Sequence, residues 1–232
     1  MLTRNEETDR DDGGRARFDL VTIDVLEPRV EAQFWCALLG LDVCDDEDDG
    51  RWVMLGHAAG SRVLGLQRST PQEIAARPGD RIRLDLTCAA ARVGAERRRI
   101  ESLGAERSAT TGEFRSPCGI ALNLAAIDRA DGLRLAGVTI AADEPIASEE
   151  FWRGALTSSE RVRTGPSAPG GPRSRVHLDL ACDPARFDAE TQQFIALGAV
   201  RIGPSRREPY GRNQIFLDPE GLPFCLNAYN ER

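Results

Sequence analysis

No lysine occurs anywhere in the chain; all 30 basic residues are arginine. This excludes a Schiff-base amine and the lysine of a phosphate-binding P-loop. Histidine is nearly as scarce, with only His57 and His177, so a site built on two or three imidazoles has almost nothing to draw on. The six cysteines form no C-x-x-C pair and lack the local spacing of a zinc site. Cys36 in QFWCALLG and Cys225 in LPFCLN sit in apolar runs, which favours buried, reduced thiols over disulfides. No window reaches the roughly 18 apolar residues of a membrane span. There is no glycine-rich phosphate loop and no G-x-S-x-G elbow. Basic charge is also in deficit: the formal net charge of −7 disfavours a nucleic-acid partner. Residues 1–17 lack the apolar centre of a secretory signal and are expected to form a disordered, charged arm. The expectation is a cytoplasmic protein without membrane or nucleic-acid partners, and the 41% apolar content is enough for a sizeable core.

What the chain does have is an internal repeat. An aromatic pair in a helical run recurs, Phe34-Trp35 and Phe151-Trp152. A strand follows, RIRLDLTC at 81–88 and RVHLDLAC at 175–182, each with a Leu-Gly-Ala turn after it, at 103–105 and 197–199. A turn into a last strand closes each copy, SPCGIALNL at 116–124 and DPEGLPFCL at 218–226. Each copy reads strand, helix, hairpin, strand, helix, strand. Pro28 and Pro145 open the first helices, and Gly104 ends a second one. Copy one carries WVML and RVLGLQ where copy two has only RTGPSAPGGPRS, so a hairpin is expected to be missing from copy two. The run DDEDDG at 45–50 reads as a solvated acidic loop without calcium-loop spacing. The domains expected are the arm at 1–17, a first module at 18–128 and a truncated second module at 133–229.

These anchors in this order resemble the vicinal oxygen chelate superfamily, and within it the glyoxalase-like domains, over about 18–229. The residues that carry the resemblance are Phe34 to Gly40, the strand His177 to Leu180, the turn 197–199 and the segment Asp218 to Leu226. The resemblance implies an α+β fold of tandem βαβββ-type modules, with curved mixed sheets around a shared cavity. It also implies lyases, isomerases, dioxygenases or drug-binding proteins, many of which hold a divalent metal. The family's ligand positions fall here on Leu20, Arg83 and Asn123 in copy one and on Gly137, His177 and Cys225 in copy two. Leucine and glycine cannot ligate, and arginine repels a cation. The remaining Cys/His pair is incomplete, so no metal and no other cofactor is expected, a divalent metal being disfavoured.

Strand alternation puts Arg83 and Asp85, and His177 and Asp179, on the face that lines the cavity in such folds. One reading makes His177, Asp179 and Asp85 acid–base groups, with Arg83 binding a ligand oxygen. The other makes both aspartates scaffold, paired with Arg83, Arg81, Arg175 or backbone donors. Asp24, Trp52, Gln67 and Asn123 are further ligand-binding candidates. So are Tyr210 and Arg212, which with Gly211 and Asn213 compose a polar loop with the character of a lid. The functional expectation is a metal-free protein that binds a small organic metabolite or drug as a monomer or homodimer. The alternatives are a lyase or isomerase using His177 and the paired aspartates, and a scaffold whose pocket is vestigial.

Overall fold

The computed structural model describes residues 15–47, 49–57, 61–77, 81–128, 130–166 and 174–230. The first half of copy one consists of β1 (Arg17–Val25), α1 (Pro28–Leu39), β2 (Asp42–Glu47), β3 (Trp52–Gly56) and β4 (Arg62–Arg68). A short helix, α2 (Pro71–Ala75), leads to the second half: β5 (Ile82–Ala89), α3 (Val93–Ser102), β6 (Glu106–Arg107), β7 (Phe114–Arg115) and β8 (Ala121–Ile127). Copy two opens with β9 (Arg134–Ala142), α4 (Pro145–Ala155) and β10 (Val162–Pro166). It ends with β11 (Val176–Ala181), α5 (Phe187–Ala196), β12 (Val200–Glu208), β13 (Gly211–Leu217) and β14 (Pro223–Tyr229).

Local sequence accounts for these elements. Pro28 occupies the first turn of α1 and Pro145 that of α4, where their missing amide protons cost nothing. Gly40 ends α1 in the left-handed region, at φ 66°. The aromatic pair of each first helix meets edge to face, at 5.0 Å for Phe34 and Trp35 and 5.1 Å for Phe151 and Trp152. Trp35, Trp152 and Phe151 are buried in the single core that runs through the molecule. Alternation along β1 sends Val21, Ile23 and Val25 to that core, and Leu20, Thr22 and Asp24 to the opposite face.

The copies do not fold side by side; they exchange halves. One sheet has the order β12-β13-β14-β11-β1-β4-β3-β2 and joins the first half of copy one to the second half of copy two. The other has the order β10-β9-β5-β8-β7-β6 and joins the two remaining halves. Antiparallel seams close both sheets, β1 against β11 and β5 against β9. The α+β architecture of tandem modules with mixed sheets is the one expected.

Four details differ from the sequence reading. The start of RTGPSAPGGPRS is strand, not loop: β10 pairs in parallel with β9 as β4 does with β1. Copy two therefore retains the counterpart of β4 and, among the described residues, lacks those of β2 and β3. Asp45–Glu47 of the acidic run belong to β2, an edge strand whose exposed side tolerates charge. Gly211, Arg212 and Asn213 are the start of β13, so the expected polar loop is mostly ladder. The expected arm covers residues 1–14, which lie outside the described residues, and 15–17, which are tied down. Ala16 is buried, donates its amide to Glu190 at 3.2 Å and accepts from the Thr157 amide at 2.9 Å.

Candidate functional site: a cleft in the eight-stranded sheet

The seam between β1 and β11 sets the floor of a cleft of about 1650 Å³. In register, Thr22 lies opposite His177 and Leu20 opposite Asp179, while β14 places Cys225 beside Asp179. Asp179 is the hub. Thr22 Oγ1 donates to its Oδ2 at 2.6 Å and Asn227 Nδ2 to its Oδ1 at 3.1 Å. Asn213 Nδ2 in turn donates to Asn227 Oδ1 at 2.8 Å, which fixes that amide. Burial pushes the Asp179 carboxyl above the ordinary range, against the opposing pull of His177, Thr22 and Asn227. Burial likewise raises the Cys225 thiol well above its usual range, with Asp179 adding to the effect. His177 Nε2 stands 3.7 Å from Asp179 Oδ2, too far for a hydrogen bond. Its ring makes no shorter polar contact among the described residues.

Gly65 makes the floor fit together. It pairs with Thr22 across β1 and β4, and a Cβ there would lie 2.7 Å from the Thr22 hydroxyl. Trp52, Met54, Ile215, Leu217 and Tyr210 give the cleft an apolar and aromatic part, beside charged residues such as Arg51, Arg68, Arg206 and Glu208. One end is tied by Asp19, which accepts from Tyr229 Oη at 2.6 Å and from Arg62 at 3.5 Å. The Arg62 guanidinium lies 4.2 Å from the Tyr229 ring centre. At the other end, α2 follows β4 across the rim, and Arg77 just beyond it forms an ion pair with the buried Asp24. The cleft is thus shared between the copies, but through one half of each.

Of the residues picked from the sequence, His177, Asp179, Asp24, Trp52, Gln67 and Tyr210 line this cleft. Arg83, Asp85 and Asn123 do not: they lie on β5 and β8 of the six-stranded sheet. There Thr139 donates to Asp85 at 2.7 Å, Asn123 approaches Asp85 at 3.3 Å, and Arg83 pairs with Glu113 at 2.7 Å. The expected common lining of Arg83, Asp85, His177 and Asp179 is therefore divided between two sheets. Arg212 also misses the cleft. It pairs with Asp188 at 2.8 Å and lies over the Phe187 ring at 4.2 Å. The threonine–aspartate bond of the floor recurs in both sheets, Thr22–Asp179 and Thr139–Asp85. Residue-level reading passed over Asn227, Tyr229 and Arg62. Counting by twos from Cys225 would have placed Asn227 and Tyr229 on its face.

The donor chemistry decides which metal such a floor suits. Leu20 stands where the family resemblance puts a first-strand ligand, and Asp179 is the one carboxylate beside His177, since Asp24 on the same strand face is ion-paired with Arg77; the oxygen-rich shell of magnesium or manganese does not fit. The expectation of no metal rested on an incomplete Cys/His pair, and here the structure alters the count. His177, Asp179 and Cys225 bring one ligand atom each to within 4.8 Å of one another, a nitrogen, oxygen and sulfur set. That set fits a softer ion.

No helix among the described residues is long and apolar enough to cross a membrane. No curated protein matches the chain. Among solved structures, glyoxalase I from Zea mays is similar at 14% identity and a TM-score of 0.63, covering 95% of this chain and 95% of that one. A putative dioxygenase from Bacillus subtilis subsp. subtilis str. 168 aligns with a TM-score of 0.64 at 14% identity, over 94% and 86% of the two chains. The CppA protein of Streptococcus pneumoniae TIGR4 gives 0.58 at 12% identity, over 93% and 99%. Identities this low establish the shared fold alone. The profile of the Glyoxalase-like domain matches residues 20–122 and 137–227, so it spans both copies. The chain belongs to the glyoxalase-like domain family of the vicinal oxygen chelate superfamily.

Proposed function

We propose that the cleft binds a small organic molecule with an apolar or aromatic body and one polar head. The observation that carries this is the polar floor itself: His177, with no hydrogen-bond partner among the described residues, and the buried Asp179 line a cleft that Leu20, Met54, Ile215 and Leu217 also line. Apolar side chains beside convergent polar groups are the usual make-up of a ligand site, and charged residues such as Arg51, Arg68, Arg206 and Glu208 line the rest of this cleft. The head would meet His177 and Asp179, and the body would lie against Trp52 and Tyr210. Thermal-shift screening of aromatic and aliphatic acids, amides and phenols, followed by calorimetry on hits, tests this. Binding that His177→Ala weakens roughly tenfold or more supports it, since a lost hydrogen bond to a charged or buried group costs about 1.5–3 kcal/mol. Hits whose affinity ignores both His177→Ala and Trp52→Ala would refute it.

A second reading, a lyase or isomerase, draws on the 3.7 Å approach of His177 to Asp179. A carboxylate held by Thr22 and Asn227 is placed to steady an imidazole that takes a proton from a bound substrate. Asp85, which the sequence suggested as a partner in this chemistry, has no part in it from the other sheet. Product formation from any hit, lost in His177→Ala with binding retained, separates this reading from simple sequestration.

A further inference from the structure

We propose that the ligand of the cleft is an amphiphile whose apolar part is a linear hydrocarbon chain, lying across β14, β13 and β12 to the edge of the eight-stranded sheet. This rests on the head site proposed at His177 and Asp179 and extends it on the side away from Trp52, which lies beyond β1 in the strand order. Register lays out the path. Asp179 lies beside Cys225, Cys225 opposite Ile215, and Ile215 opposite Ile202. One row along, Pro223 lies opposite Leu217, and Leu217 opposite Val200. Residues directly opposite in a ladder share a face. The cleft lining reaches Ile215, Leu217 and Pro223, and register carries the same face one strand further. There Val200 and Ile202 are 57% and 44% exposed. Burial keeps the Cys225 thiol protonated, so it continues the second row as a small hydrophobe. Contiguous exposed apolar side chains running out of a polar pocket are the mark of a binding surface.

The repeat supplies an internal control. Copy one makes the same ladder in the six-stranded sheet, where Glu106 lies opposite Arg115 and Ser108 donates its amide to Glu113. Those four residues are the counterparts of Val200, Leu217, Ile202 and Ile215. All four are polar or charged, so the fold does not require apolar side chains at these positions. The apolar shelf belongs to the sheet that carries His177 and Asp179, and to that sheet alone among the two. A second copy of the chain is a poorer occupant. Pro204 leaves β12 without one amide donor, and its register with β13 shifts between Ile202 and Arg206. Pairing β12 with its twin would also bring the exposed Arg206 and Arg207 of both copies together. From β11 to β12 the shelf spans three strand spacings, about 14 Å, which an extended chain of about eleven carbons covers.

Calorimetry of the full-length protein with unbranched alkanoic acids and alkanamides of rising chain length, each below its micelle concentration, provides the test. A chain on a half-open shelf removes about half its surface from water, so affinity should rise about twofold per added methylene. The rise should total roughly thirtyfold from six carbons to eleven and level off beyond that length. Val200→Ser with Ile202→Ser should cut the ratio of undecanoate to hexanoate affinity at least about fivefold, since both side chains meet only the far end of the chain. Both positions are exposed, so the double variant should keep the melting curve of the wild type. His177→Ala should weaken every chain length by a similar factor. Short ligands that bind through His177 while affinity ignores chain length would overturn this proposal and leave the head site standing. Binding of no acid or amide at any length would overturn both. Sedimentation showing a dimer of the wild type that Ile202→Ser dissolves would assign the shelf to a second copy and overturn the chain.

Discussion

At position 65 a single hydrogen atom separates a formed site from a deformed one. A methyl group there would sit 2.7 Å from Thr22 Oγ1, the group that holds Asp179. Gly65→Ala is expected to cost about 1–3 kcal/mol, the usual range for overpacking, and to loosen Asp179. Urea denaturation measures the first effect and ligand or metal affinity the second. Asp218 provides a second residue-scale prediction. Its Oδ1 accepts the amides of Glu220 and Leu222, while its Oδ2 is buried without a partner among the described residues. Burial, outweighing those two amide bonds, raises its pKa from 3.8 to about 6. A carboxyl raised on folding binds more protons in the native state, so its contribution is full at low pH and lost as pH rises through about 6. Stability should therefore fall between about pH 5 and pH 7.5 by about 1–2 kcal/mol on this account. Asp218→Asn should flatten that slope in melts compared across the interval. Copy one makes the same turn with a neutral group, Ser116, whose hydroxyl accepts the Ile120 amide at 3.0 Å. Strand alternation put His177 and Asp179 on the cleft face, and Trp52 was picked out by its place on the copy-one hairpin. Gly65 was not, because its role is set by the distance to a side chain on another strand.

At the scale of elements, the start of α4 is held from outside its own copy-half. Glu220, in the turn between β13 and β14, accepts the amides of Asp143 and Glu144 at 2.9 Å each. It also pairs with the buried Arg81 at 2.7 Å. Burial alone would raise the Glu220 carboxyl; the two amides and Arg81 together hold it below its ordinary range. One side chain thus joins the eight-stranded sheet to the entrances of α4 and β5. Glu220→Ala leaves Arg81 buried without its nearest carboxylate and should cost about 3–5 kcal/mol in chemical denaturation. Order and type of the elements were readable from periodicity, proline and glycine. Which strands copy two had lost was not. A proline- and glycine-rich string reads as loop, yet β10 forms because β9 offers it a parallel partner.

For the molecule as a whole, the decisive fact is the exchange of halves. Sequence repeats show that two copies exist but carry no record of which half pairs with which. That is why Arg83 and Asp85 were grouped with His177 and Asp179. The seams β1–β11 and β5–β9 are both made between copies. Neither copy alone can cover its own β1, β5, β9 or β11 edge. Residues 15–128 and 133–230 produced separately should each aggregate or self-associate, and mixing them should restore a one-to-one complex. Size-exclusion chromatography with circular dichroism distinguishes these outcomes from independently folded monomers.

Losses in this chain follow the sheets and not the copies. Among the described residues copy two lacks two strands in its first half, and copy one has β6 and β7 of only two residues each in its second half. Both reductions fall on the six-stranded sheet. A doubled chain would ordinarily be bivalent, with two equivalent seats and room for one to influence the other. Here the duplication supplies both sides of one cleft floor, β1 from one copy and β11 from the other, and on the proposed function that makes a single seat. Titrations should saturate at one ligand per chain along a simple hyperbola, with a Hill coefficient of about one for the monomer.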